Sequence, residues 1–160
     1  MNTGLMFSTG KDDWATPPEV FDPLDAEFHF DLDAAASASN RKCPIYFGPD
    51  QELECDRDGL RSGWDIPGVK AVWVNPPYSR GLQGKFIEHA AAESSSLGIT
   101  VVMLLPARTD TRAFHDWIWD RTAHKPQPWV REVRFLKGRI RFVGAPASAP
   151  FPSMVVVFGR

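Results

Sequence analysis

The stretch Val69-Lys70-Ala71-Val72-Trp73-Val74-Asn75-Pro76-Pro77-Tyr78-Ser79 decides the fold. Its first half is apolar and rich in β-branched residues, the pattern of a buried strand. Pro76 and Pro77 end that strand, because each lacks an N–H and fixes its own φ. A stiff turn therefore presents an amide, Asn75, and an aromatic ring, Tyr78, at the strand's carboxyl end. In open α/β sheets that end is where ligands bind.

Downstream, residues 80–97 read as an amphipathic helix, with Phe86, Ile87, Ala90 and Ala91 on one face and Gly98 as its C-cap. Residues 99–105 form the most hydrophobic run in the chain, a second buried and parallel strand that Pro106 ends. Ala107-Arg108-Thr109-Asp110-Thr111 is a polar tip, and Thr111 or Asp110 caps a helix expected over 112–123, with Phe114, Trp117 and Ile118 inward. Over 130–143, Ile140 and Phe142 alternate with Arg139 and Arg141 beyond Lys137-Gly138, which predicts a hairpin with a basic tip. A loop, 144–150, leads to a last buried strand over 151–158.

Upstream, residues 1–13 show no periodicity and read as a mobile arm. Thr16-Pro17-Pro18-Glu19 is a helix-start pattern of cap, first-turn proline and reciprocal acid. The helix would run over 17–28, burying Val20, Phe21 and Leu24, with Pro23 straining it. Phe28, Phe30 and Leu32 alternate with His29, Asp31 and Asp33, so a strand ending at Asp33 is expected, followed by a turn of small residues, Ala34-Ala35-Ala36-Ser37. Small side chains let a ligand approach the backbone, although an aspartate before a turn is most often a cap or Asx-turn. Residues 38–68 are loop-rich, with a short strand at Ile45-Tyr46-Phe47. In the acidic run Glu52, Glu54 and Asp56 read as exposed loop, whereas Asp58-Gly59-Leu60 suggests an ordered turn. Strands alternating with helices, then an antiparallel closing part, define a mostly parallel three-layer α/β sheet.

Composition narrows the function. At 160 residues, with 43% hydrophobic and 24% charged residues, the chain reads as one globular domain over 1–160. It has no apolar run long enough to span a bilayer and no signal-peptide pattern at its start, which points to the cytoplasm. Cys43 and Cys55 lack Cys-x-x-Cys spacing and the four histidines form no metal-binding pair, so reduced thiols and no metal site are expected. The net charge of -2 hides an asymmetry: residues 1–60 carry thirteen acids and four bases, residues 101–160 ten bases and four acids. A polyanion approaching one face and an unevenly charged solvated surface explain those counts equally well.

The central turn suggests a chemistry. The Asn75 amide oxygen and the Pro76 carbonyl are two acceptors that fit a planar –NH2 group such as the exocyclic amine of adenine, and Tyr78 offers a face for stacking. Hydrogen bonds to both amine protons raise electron density on the nitrogen, so an in-line electrophile could alkylate it without a charged base.

Asn75-Pro76-Pro77-Tyr78 after an apolar strand resembles the catalytic motif of S-adenosylmethionine-dependent amino-methyltransferases. Together with Trp14-Ala15-Thr16-Pro17, Phe30-Asp31-Leu32-Asp33-Ala34-Ala35, Leu104-Leu105-Pro106-Ala107-Arg108-Thr109-Asp110-Thr111 and Leu136-Lys137-Gly138-Arg139-Ile140-Arg141-Phe142, it resembles the phage and prophage DNA N-6-adenine-methyltransferase (Dam) family over residues 13–158. That resemblance implies a minimal Rossmann-like class I methyltransferase fold, S-adenosyl-L-methionine as cofactor, double-stranded DNA as partner, a base flipped into the site, and a phage or prophage gene acting in a bacterial host. It assigns Trp14, Thr16 and Pro17 to the methionine part of the cofactor. Asp33, Ala34 and Ala35 match the cofactor turn, where the acid serves the methionine amino group. Asp58 would lie near the cofactor's adenine, and Asn75, Pro76, Pro77 and Tyr78 would be the catalytic turn. Arg108, Lys137, Arg139 and Arg141 would be phosphate contacts, resting on charge and placement more than motif, and a solvated strand face competes evenly. The cofactor turn lacks Gly-x-Gly, no acid for the ribose is obvious between 36 and 69, and no target-recognition domain follows the sheet. The same turn could serve an RNA adenine, cytosine N4 or a protein glutamine, or the fold could persist as a non-catalytic nucleic-acid-binding module.

Overall fold

The computed structural model describes residues 15–79 and 81–159. Trp14 and the arm expected over 1–13 lie outside those residues. The central strand is β3 (Ala71–Val74), entirely buried as its apolar run requires. Around it β1 (Leu32–Asp33), β2 (Ile45–Tyr46), β4 (Thr100–Pro106), β7 (Val130–Phe135) and β8 (Ser153–Phe158) form one six-stranded sheet in the order β2-β1-β3-β4-β8-β7. The first four strands are mutually parallel; β8 runs antiparallel to both β4 and β7. This mixed α/β, mostly parallel sheet with an antiparallel closing pair matches the expected architecture at that level.

Both faces of the sheet are covered, which is why β3, and β4 and β8 beyond their first residues Thr100 and Ser153, are hydrophobic in continuous runs rather than at alternate positions. Val72, Val74, Val101, Met103 and Val156 face α2 (Leu82–Leu97), which buries Phe86, Ile87, Ala90 and Ala91. Gly98 closes that helix in the left-handed conformation (φ 66°), as predicted. Ala71, Trp73, Val102, Leu104 and Val155 face the other way, toward α1 (Pro18–Phe28) and residues 140–149.

Four local expectations are corrected. Thr16 does not cap α1; Pro17 is the N-cap, without a side-chain cap bond, and the helix runs through Pro23. The period-two pattern at 28–33 yields only the two-residue β1, because α1 extends to Phe28 and ends on His29 in the left-handed region (φ 55°), with the Asp25 carboxylate accepting the Phe30 N–H. The helix expected over 112–123 is a short π-helical turn, Phe114–Ile118, entered through a Thr111 hydroxyl bond to the Phe114 N–H and burying Phe114 and Ile118. There the Asp120 carboxylate accepts the N–H groups of Thr122 and Ala123 at 2.9 and 3.0 Å, and this competing turn folds the chain into a small hairpin of β5 (Trp119–Asp120) and β6 (Lys125–Pro126). The hairpin expected over 130–143 pairs differently as well. The partner of β7 is β8, and Ile140 and Phe142 belong to an extended loop whose buried positions pack on the sheet face instead of joining its ladder.

Candidate functional site

β1 and β3 are adjacent and parallel, with Asp33 in register with Trp73 and the Ala34 N–H bonded to the Trp73 carbonyl. The turns that follow them therefore lie side by side beyond the carboxyl edge of the sheet. They open on one cleft of about 520 Å³, within the range of small-molecule sites. Thr16, Asp33, Ala34, Ala35, Asp58, Asn75, Pro76, Pro77 and Tyr78 all line it. Pro17 does not; its carbonyl accepts the Val20 and Phe21 N–H groups at the start of α1. Trp14 lies outside the described residues.

Asp33 is 2% exposed. One carboxylate oxygen accepts the Ala35 N–H at 3.3 Å and the other the Lys42 N–H at 3.0 Å. Burial pushes its pKa up to about 7, against the pull of those two hydrogen bonds.

Two glycines outside the predicted set shape the same turn. A Cβ on Gly59 would meet the Ala34 carbonyl oxygen at 2.0 Å, and one on Gly48 the Ala36 carbonyl oxygen at 1.8 Å. The close approach that a Gly-x-Gly turn would permit is supplied here by glycines from neighbouring loops. Gly59 is held from below by Trp64, fully buried, whose indole N–H donates to the Gly59 carbonyl at 3.1 Å. The backbone N–H of Trp64 in turn donates to Glu93 of α2 at 2.8 Å. Asp58 forms the ordered turn expected of it, its carboxylate accepting the Leu60 N–H at 2.9 Å. The chain carries a local signal for Gly59, in Asp58-Gly59-Leu60; it carries none for the pairing of Gly48 with Ala36.

The Asn75 amide is oriented from both ends. Its Nδ2 donates to the Thr16 hydroxyl at 3.2 Å, and its Oδ1 accepts the Tyr78 hydroxyl at 2.8 Å. Thr16 is buried, so its polar group serves the turn rather than α1. Burial raises the Tyr78 phenol above its ordinary pKa, which keeps it a hydrogen-bond donor. The Tyr78 ring packs edge-on against Phe142 and Phe151, at 5.9 and 5.4 Å between centroids, so the loop after β7 supports the turn.

The predicted basic residues lie outside the cleft but on its edge of the sheet. Phe135 at the end of β7 is level with Met154, and Met154 with Leu105 near the end of β4. Lys137, Arg139 and Arg141, all exposed, follow β7 at that edge. Arg108, exposed after β4, lies over the Phe151 ring at 5.9 Å. None of the four is in an ion pair among the described residues. Among those residues there is no group of three His, Cys, Asp or Glu side chains that could hold a metal ion. Cys43 is buried, with its thiol pushed up to about 12 chiefly by burial, and Cys55 is exposed; both are free.

An open, mostly parallel sheet with a cleft beyond the carboxyl ends of adjacent strands defines an α/β protein of the architecture in which ligands bind at that edge. The chain belongs to the DNA N-6-adenine-methyltransferase (Dam) family, whose model matches residues 6–156. It is also 38% identical over 105 residues to a DNA N-6-adenine-methyltransferase of Escherichia phage T1, a match covering 65% of this chain and 40% of that protein. The matched region thus spans well under two thirds of the phage protein's length.

Proposed function

We propose that this protein transfers a methyl group from S-adenosylmethionine to the exocyclic N6 amine of adenine in double-stranded DNA, on a minimal Rossmann-like class I methyltransferase domain. The observation that carries this is the meeting of two turns in one cleft: the buried acid at the end of β1 and Asn-Pro-Pro-Tyr at the end of β3. Membership of the Dam family and the name of the phage T1 relative support the same reaction.

The donor set fits the cofactor. Asp33 would meet its amino group, the small Ala34-Ala35 turn would let it lie against backbone, and the apolar Leu60 and Phe86, with Asp58 at their edge, would take its adenine. Bound there, S-adenosylmethionine supplies a methyl group on a positively charged sulfur. The chain's own part is to position and polarise the amine. Asn75 Oδ1 has two lone pairs, of which Tyr78 occupies one, so the other accepts one amine proton while the Pro76 carbonyl accepts the second. Both bonds strengthen as positive charge develops on the nitrogen, and that differential stabilises the transition state. The extra proton then leaves through these acceptors to water. The flipped base would be held at Tyr78, with Arg108, Lys137, Arg139 and Arg141 on the phosphates.

Incubation with methyl-labelled S-adenosylmethionine and duplex DNA, followed by nucleoside analysis, tests the reading. Label in N6-methyladenine is expected. Label in N4-methylcytosine, in RNA only, in protein glutamine, or nowhere would replace it with one of the rival substrates or with a non-catalytic binding module.

A further inference from the structure

Thr16 carries a hydroxyl that the start of α1 does not use. The sequence around it has the pattern of a helix cap, but α1 begins on Pro17 with no side-chain cap bond. Thr16 is 1% exposed, and among the described residues its hydroxyl takes part in one hydrogen bond, accepted from Asn75 Nδ2 at 3.2 Å. Its backbone is fixed on both sides. Ala15 is bridged to Val143, whose N–H donates to the Ala15 carbonyl at 3.0 Å, and Pro17 restricts the residue before it to extended conformations. A buried hydroxyl that forgoes a cap and instead bonds an amide 59 residues away serves that amide.

We infer that Thr16 is a positioning residue for methyl transfer: it holds the Asn75 amide in the orientation that presents Oδ1 to the target amine. The inference rests on the proposed reaction. A side-chain amide has two ends of similar size and opposite polarity. Turned over, Asn75 would aim an N–H at the amine, donor against donor. Tyr78 favours the productive orientation, because a phenol shares its oxygen lone pair with the ring and so donates better than it accepts; its hydroxyl meets Oδ1 at 2.8 Å. Thr16 completes the grip as the acceptor for Nδ2, and donation there leaves more negative charge on Oδ1. With valine at 16, each orientation keeps only the bond to Tyr78, and the amide is no longer held to the productive one. Resemblance to the family would instead place Thr16 against the methionine part of the cofactor, and kinetics separates the two roles.

Thr16→Val keeps the shape and removes the acceptor, whereas Thr16→Ser keeps the acceptor. In Thr16→Val, kcat for methyl transfer to duplex DNA should fall about tenfold, the effect of losing one neutral hydrogen bond, with KM for S-adenosylmethionine and for DNA nearly unchanged. Thr16→Ser should restore kcat to within about threefold of the parent. The Asn75 side-chain amide, assigned by NMR, gives a readout that a merely structural role would not move. Its hydrogen-bonded proton should shift upfield in Thr16→Val and keep its position in Thr16→Ser. A parent-like kcat in Thr16→Val, or an unmoved amide proton, overturns the inference. Weakened cofactor binding at unchanged kcat also overturns it and returns Thr16 to the cofactor. Should Thr16→Val fail to fold, the parent decides alone: Asn75 amide protons that exchange with water as fast as those of an exposed asparagine overturn the grip, and slow exchange supports it. Absence of transfer by the parent refutes the proposed reaction, while the amide resonances still judge the grip.

Discussion

Asn75 and Asp33 carry different parts of the proposed chemistry, and their substitutions separate them. Asn75→Ala removes an acceptor that matters most in the transition state, so methyl transfer should fall by at least about a hundredfold. Cofactor affinity, followed by calorimetry, should stay near that of the parent. Asp33 reports through pH. Its folded-state pKa of about 7 lies above the ~3.9 of an unfolded aspartate, so between those values the native protein holds a proton that the unfolded chain has released. Stability conferred by this group is therefore greatest at low pH, declines as pH rises from about 4 to 7, and levels off above. In Asp33→Asn, whose amide can keep only one of the two backbone hydrogen bonds, urea unfolding should lose the decline in stability between pH 4 and 7 that the parent shows. Cofactor binding should show the opposite trend in the parent, tightening through pH 7 as the carboxylate ionises to meet the cationic amine. In Asp33→Asn it should weaken at least about tenfold and lose that pH dependence.

At the scale of elements, the cleft depends on how closely loops are pressed against the β1 turn. The Trp64 anchor, bonded to the Gly59 carbonyl on one side and to Glu93 on the other, ties the Asp58–Leu60 turn to α2 and presses Gly59 onto Ala34. In Gly59→Ala the added methyl has backbone on its far side and nowhere to go, so the β1 turn itself must move. The expected result is a loss of about 1–3 kcal/mol in urea unfolding, together with weakened cofactor binding that calorimetry would detect. Gly84→Ala is the control, because its Cβ would meet only the Ala113 methyl, at an ordinary 3.6 Å. The loop after β7 is the other such element. It is joined to the N-terminal segment through an Ala15–Val143 bridge and to Tyr78 through Phe142 and Phe151, so the segment that supplies Thr16 and the ring that orients Asn75 share one support.

At the scale of the whole molecule, the four predicted basic residues share one edge of the sheet. Lys137, Arg139 and Arg141 at the end of β7, and Arg108 after β4, gather basic charge at the carboxyl edge that holds the cleft. If these residues meet phosphates, the combined Lys137→Ala, Arg139→Ala and Arg141→Ala variant should bind duplex DNA with a log affinity against log salt slope shallower by roughly 2 to 3, with thermal stability little changed. An unchanged slope would return them to the solvated surface. No helix among the described residues is long and apolar enough to cross a membrane. What the sequence by itself determined was what neighbouring residues settle among themselves: the buried β3 run, the two prolines that stop it, the stripe of α2 with its Gly98 cap, the acid before the small-residue turn, and the motifs of the family. It could not settle pairings between distant segments. Alternation at Ile140 and Phe142 specified an extended chain with one buried side, but sheet ladder and sheet face bury such a chain equally, and only the packed structure made β8 the partner of β7. Likewise Thr16 has the local pattern of a cap, yet the hydroxyl meets Asn75, 59 residues away. The Asn75 orientation, the poise of Asp33 and the glycine contacts behind its turn arise from burial and from distances across the fold, which no stretch of sequence contains.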